Sequence, residues 1–114
     1  EVEAAMIYPP HYYDTFPKSI NYGAMGAVIG HEITHGFDPT GSQFNHIGKL
    51  RNWWSNETRE EFDRRVQCIV DQYSNETVVP ELGIQLNGMQ TKEENVADLG
   101  GLKAAFRVFL VFLS

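Results

Sequence analysis

The sequence predicts a mostly helical fold with irregular loops and one short hairpin, in a single domain of residues 1–114. Three observations carry that prediction. Apolar residues recur at helical spacing in three separate stretches. Proline and glycine cluster in the lead-in and between those stretches, where they mark loops. Of the 114 residues, 42% are hydrophobic and 12% aromatic, enough to build a core and to exclude wholesale disorder.

Residues 1–20 hold Pro9, Pro10 and Pro17 among several aromatics. Proline lacks an amide donor and restricts the residue before it, so this reads as an irregular or extended lead-in. From Asn21 the pattern changes. Met25, Val28, Ile29 and Ile33 fall on one helical stripe, Ser19 or Asn21 can cap its start, and Gly36 is placed to end it. Gly23, Gly26 and Gly30 would each weaken an exposed helix by roughly 1 kcal/mol. Their expected use is close packing, which makes this a central, buried helix. Asp38 to Trp54 reads as a loop, marked by Pro39, Gly41 and Gly48, and the hairpin is placed there. A second helix follows over about 55–73. Phe62, Val66, Ile69, Val70 and Tyr73 form its apolar face, and Glu60, Glu61, Asp63, Arg64 and Arg65 are solvated. Residues 74–90 make another loop around Pro80, Gly83 and Gly88. The third helix runs from about Thr91 to the C-terminus, with Ala97, Gly101, Ala104 and Ala105 available for tight packing.

Nine Lys and Arg stand against 15 Asp and Glu. The net charge of −6 repels a phosphate backbone, so no nucleic-acid partner is expected. The longest apolar run, Val108 to Leu113, has six residues, against the ~18 that a spanning helix needs. Cys68 is the one cysteine, either a buried free thiol or the partner of a cysteine outside this chain. Asn56-Glu57-Thr58 and Asn75-Glu76-Thr77 are both N-glycosylation acceptors, meaningful only in a secretory compartment, and they favour the second. A secretory context, an odd cysteine and no visible signal peptide make the chain read as a fragment of a longer protein.

The chemistry concentrates at His31-Glu32-Ile33-Thr34-His35, an H-E-x-x-H motif on the first helix. Residues four apart share a helical face, so both imidazoles can point at one metal ion. Glu32 sits about 100° round from His31 and borders the metal without binding it, which suits a base acting on water. A catalytic zinc site usually has three protein ligands and one open position. The metzincin pattern fails, because Asp38 and Gly41 stand where glycine and histidine would be needed. His46 reads as a surface histidine, and His11 in the lead-in is a weaker candidate still. The better one is Glu94, 59 positions after His35. Asp98, one turn further on, can accept the free ring N–H of a ligating histidine. Spacing leaves a second reading open, since Thr91-Lys92-Glu93-Glu94 also matches a helix-capping box.

Several stretches together resemble the neprilysin and endothelin-converting-enzyme family of zinc metallopeptidases. They are Asn21-Tyr22-Gly23, the run from Val28 to Asp38, Trp53-Trp54, the run from Gln67 to Tyr73, Leu86-Asn87-Gly88, the run from Glu94 to Asp98, and Gly100-Gly101-Leu102. The resemblance implies the catalytic core of a thermolysin-like zincin. It implies one Zn2+ held by His31, His35 and Glu94, with Glu32 as catalytic base and Asp98 as partner of the first histidine. The implied activity is endopeptidase cleavage of small peptides, typically on the amino side of hydrophobic residues. The implied setting is a type II membrane or secreted ectoenzyme, at the extracellular face of the plasma membrane or beyond it, with a cysteine elsewhere to pair with Cys68.

The sequence departs from the family pattern at three places. Glu3 stands for a proline, Glu93 for the glycine before the third ligand, and Leu99 for an asparagine. Glu93 leaves two adjacent carboxylates, and Asp98 argues for Glu94 as the ligand. The family's upstream substrate-binding strand, its downstream histidine and arginine and its large helical lobe are not among these residues. The 114 residues on their own are therefore expected to bind zinc without being a competent peptidase. The alternative function is a non-catalytic zinc-binding or interaction fragment.

Overall fold

The computed structural model describes residues 4–113, so Glu3 lies outside the described residues. Helices dominate them. α1 (Lys18–Asn21) passes through a π-turn (Tyr22–Gly26) into α2 (Ala27–His35), and α3 (Asn56–Asn75) and α4 (Lys92–Leu113) are the long helices. β1 (Thr77–Val79) and β2 (Ile84–Gln85) pair antiparallel, Thr77 opposite Gln85 and Val79 opposite Ile84, with an irregularity between them. The chain forms two compact units, Glu1–Thr34 with Ala97–Ser114, and His35–Val96. Among the described residues no helix is long and apolar enough to cross a membrane.

In the first unit the helical run begins at Lys18, earlier than expected, and neither Ser19 nor Asn21 caps it. Pro17 precedes the helix, and its carbonyl accepts from the Ile20 and Asn21 amides. Asn21 has another task. Its Oδ1 accepts from the Tyr13 amide at 3.2 Å and its Nδ2 donates to the Tyr13 carbonyl at 2.7 Å, pinning the lead-in to the helix. Of the three glycines, Gly30 alone is packed without room for a side chain. A Cβ there would lie 2.7 Å from the Gly101 carbonyl oxygen, and one on Gly101 would run into the His31 backbone nitrogen. A Cβ on Gly100 would meet Thr34 at 2.5 Å. Gly26 makes ordinary contacts, and Gly23 faces open space. On α4 the small residues Ala97, Gly101 and Ala105 form the buried stripe.

The expectation of a fully buried central helix is not met. On α2 only Gly30 is buried, while Ile29 is 41% and Ile33 64% exposed. The glycine line gives α2 one closely packed face, and among the described residues Ile29, Glu32 and Ile33 on that helix stay exposed. Leu102, Phe106 and Val111 on α4 are exposed in the same way.

In the second unit Ser55 caps α3, its Oγ accepting from the Thr58 amide. Val70 is buried, and Phe62, Val66, Ile69 and Tyr73 are half-buried beside it, the apolar face that periodicity predicts. Cys68 is exposed, so the buried-thiol reading fails. The loop after α2 contains one bridge, Phe44 to Leu50, closed by a turn with Gly48 at φ 71°. The two paired strands lie instead in the next loop, around Gly83 at φ 62°. They are two and three residues long, too short to show a period, and Pro80 interrupts the apolar run.

Two predictions follow from this packing. Gly101→Ala should cost about 1–3 kcal/mol through overpacking, whereas Gly23→Ala should gain roughly 0.5–1 kcal/mol; urea unfolding of both variants checks the contrast. On α3, hydrogen bonds from Arg64 and then Arg65 draw the exposed Glu61 carboxyl from 4.5 down to about 2. A lowered carboxylate pKa means this clamp is fully formed above the ordinary value and is lost as pH falls through about 2. An NMR titration should show this for Glu61, with a return towards 4.5 in the Arg64→Ala, Arg65→Ala double variant.

Candidate metal centre

α2 runs unbroken through the H-E-x-x-H motif, so His31 and His35 stand one turn apart on one face. Each imidazole is held by a carboxylate. In the first unit His31 Nδ1 lies 2.7 Å from Asp98 Oδ1. In the second, His35 Nδ1 lies 2.7 Å from Asp38 Oδ2. An ionised carboxylate only accepts, so each Nδ1 is the donor and Nε2 is the ring nitrogen on the edge away from the carboxylate.

The two carboxylates differ in environment. Asp98 is exposed, whereas Asp38 is buried to 4%. Burying a charge is costly unless it is fully hydrogen-bonded. Asp38 meets that condition, because its Oδ1 also accepts from the Thr40 and Gly41 amides at 2.8 and 2.7 Å. Gly41 is required there, since a Cβ would collide with the His35 carbonyl oxygen. Sequence reasoning did not assign Asp38 a role. The available signal was an Asp three residues after His35 and just before Pro-Thr-Gly, the composition of an Asx turn.

Glu94 approaches His35, with Oε2 3.6 Å from Nε2. That separation leaves room for a shared proton or a cation bound by both atoms. Neighbouring ligands of a tetrahedral zinc with ~2.0–2.1 Å bonds would be about 3.3 Å apart, so the pair fits that group. Glu93, the competing carboxylate, turns elsewhere and accepts from the Thr40 hydroxyl at 3.3 Å. Thr91 Oγ1 accepts from Asn95 Nδ2 at 2.8 Å and donates to the Asn87 carbonyl at 3.3 Å.

Glu32 is exposed and lines an open cavity of about 590 Å³ with His31, Asp98, Val28, Leu102 and His11. The structure thus puts His11 on the wall beside Glu32. His46 is exposed in the turn between Phe44 and Leu50.

The profile of peptidase family M13 matches residues 2–112. The chain belongs to peptidase family M13. It is 51% identical over 111 residues to neprilysin-11 of Caenorhabditis elegans, covering 97% of this chain and 13% of that protein. It is 45% identical over 106 residues to human endothelin-converting enzyme 1, covering 93% of this chain and again 13% of the relative. Among solved structures it is similar to the Mycobacterium tuberculosis zinc metalloprotease ZMP1 bound to an inhibitor. That match has a TM-score of 0.91 and 37% identity, over 96% of this chain and 17% of ZMP1. A Haemonchus galactose-containing glycoprotein complex matches with a TM-score of 0.83 and 36% identity, over 95% of this chain and 16% of that one. The M13 match therefore spans nearly all of this chain and a small part of each relative.

The hydrogen-bonding pattern makes one direct prediction. Both His31 and His35 should be Nδ1–H tautomers in ring-nitrogen NMR spectra. Asp98→Ala should disturb the His31 signals and Asp38→Ala those of His35, each leaving the other histidine unchanged.

Proposed function

We propose that this chain is the zinc-binding core of a metalloendopeptidase. His31, His35 and Glu94, each offering one donor atom, would be the ligands of a single Zn2+. The observation that carries the reading is the pair of carboxylate-held imidazoles. Asp98 and Asp38 each accept from an Nδ1 and so turn the Nε2 edge of the ring away from the carboxylate, the orientation a metal needs, and family membership supports the assignment. Bound zinc would supply Lewis acidity for peptide hydrolysis. Glu32, one residue along the helix and open to the cavity, would take a proton from the attacking water and return it to the leaving amine. Asp98 and Asp38 would hold the imidazole orientations through the reaction.

The substrates in this reading are small peptides, cut on the amino side of hydrophobic residues. The parent protein would act at the extracellular face of the plasma membrane or be secreted. Exposure of Cys68 on α3 supports a disulfide to a cysteine outside this chain. The Haemonchus glycoprotein, as a structural relative, supports glycosylation in a secretory setting.

In the full-length protein that contains this chain, Glu32→Gln should abolish peptide cleavage while one zinc remains bound. The amide keeps the shape of the side chain but cannot take the proton. Turnover like that of the wild type would remove Glu32 from the role of base. Asp98→Asn and Asp38→Asn should each weaken zinc affinity about 10- to 100-fold in chelator competition. Asp38→Asn should also lower the unfolding midpoint, because the buried Asp38 carboxylate orders the turn at Thr40 and Gly41.

A further inference from the structure

We propose that Glu93 is a positioning residue for the metal centre, acting through a hydrogen bond from Thr40 that fixes how Glu94 meets His35. This role rests on the zinc-core reading and belongs to two residues that hold a ligand in place without binding the metal.

Every group involved lies in the second unit. His35 Nδ1 donates to Asp38 Oδ2 at 2.7 Å, and the Thr40 amide donates to Asp38 Oδ1 at 2.8 Å. That bond fixes the backbone of Thr40, whose Oγ1 reaches the start of α4 and donates to Glu93 Oε1 at 3.3 Å. One peptide bond joins Glu93 to Glu94, and Glu94 Oε2 lies 3.6 Å from His35 Nε2. The path closes on itself, from His35 through Asp38, Thr40, Glu93 and Glu94 back to His35.

The closed path ties the turn that orients His35 to the helix that carries Glu94. Thr40 and Glu93 are 53 positions apart, so the tie is tertiary and not a feature of either segment alone. Successive side chains on an α-helix point about 100° apart. Holding Glu93 against Thr40 therefore sets the rotation of the first turn of α4, and that rotation turns Glu94 towards His35. The same bond keeps Glu93 occupied, where two adjacent carboxylates would otherwise compete for one cation. Lys92 Nζ, 4.0 Å from the same Glu93 oxygen, adds a weaker attraction. A ligand held near its partner before the metal arrives loses less freedom when the metal binds.

The test uses the full-length protein that contains this chain, with two readouts. One is zinc affinity by chelator competition; the other is the visible spectrum of the Co2+-substituted protein, which reports ligand geometry. Thr40→Val deletes the hydroxyl and keeps both the side-chain shape and the amide bond to Asp38. It should weaken zinc binding about 3- to 10-fold, the worth of one hydrogen bond to a charged acceptor at an exposed site, and alter the cobalt bands. Thr40→Ser, which keeps the hydroxyl, should restore both. Glu93→Gln retains an acceptor oxygen and should lose less affinity than Glu93→Ala. The Thr40→Val, Glu93→Ala double variant should bind zinc no more weakly than Glu93→Ala alone, because both changes remove the same bond. Wild-type affinity and cobalt bands in Thr40→Val, or additive losses in the double variant, would overturn the proposal and leave the zinc reading standing. A wild type that takes up no zinc would overturn both.

Discussion

Gly30 and Gly101 meet backbone to backbone, and that contact sets where His31 on α2 stands against Asp98 on α4. Neither position tolerates a Cβ: each would strike the other helix within 3 Å. The closeness has a functional consequence. A carboxylate side chain is short, so Asp98 can reach His31 Nδ1 at 2.7 Å only if the two helices nearly touch. The small stripe of Ala97, Gly101 and Ala105 serves that approach more than it serves core volume.

From this contact each helix carries a second group one turn away, His35 beyond His31 and Glu94 before Asp98. Two different devices then orient the two imidazoles. His31 depends on a residue distant in sequence, the exposed Asp98. His35 depends on its own following turn, where a buried aspartate binds two amides as well as the ring. The second device has the larger number of hydrogen bonds on its carboxylate.

Much of this was legible in the sequence, for physical reasons that differ by residue. The i, i+4 histidines and the apolar face of α3 follow from helical period alone. That Asp98 meets a ligating histidine could be argued from one-turn spacing after Glu94, whereas its pairing with His31 in particular was implied by the family resemblance. Asp38 could not, because its role comes from an Asx turn that folds it back under His35, and composition alone does not separate such a turn from an ordinary loop. Nor could the sequence say which glycine packs closely. Gly23, Gly26 and Gly30 lie on one helical run, yet only Gly30 faces another backbone. The helix start was misplaced because Asn21 looked like a cap, while its amide is committed to Tyr13. The expected burial of α2 failed because periodicity marks apolar faces without supplying what covers them.

The central claim is that two carboxylate-oriented imidazoles and one glutamate form a single zinc site. Anomalous diffraction at the zinc edge from crystals of the zinc-loaded protein tests it most directly. The account predicts one strong peak about 2 Å from His31 Nε2, His35 Nε2 and a Glu94 carboxylate oxygen. Zinc bound instead through Glu93, His46 or His11, or with either histidine ligating through Nδ1, would contradict it.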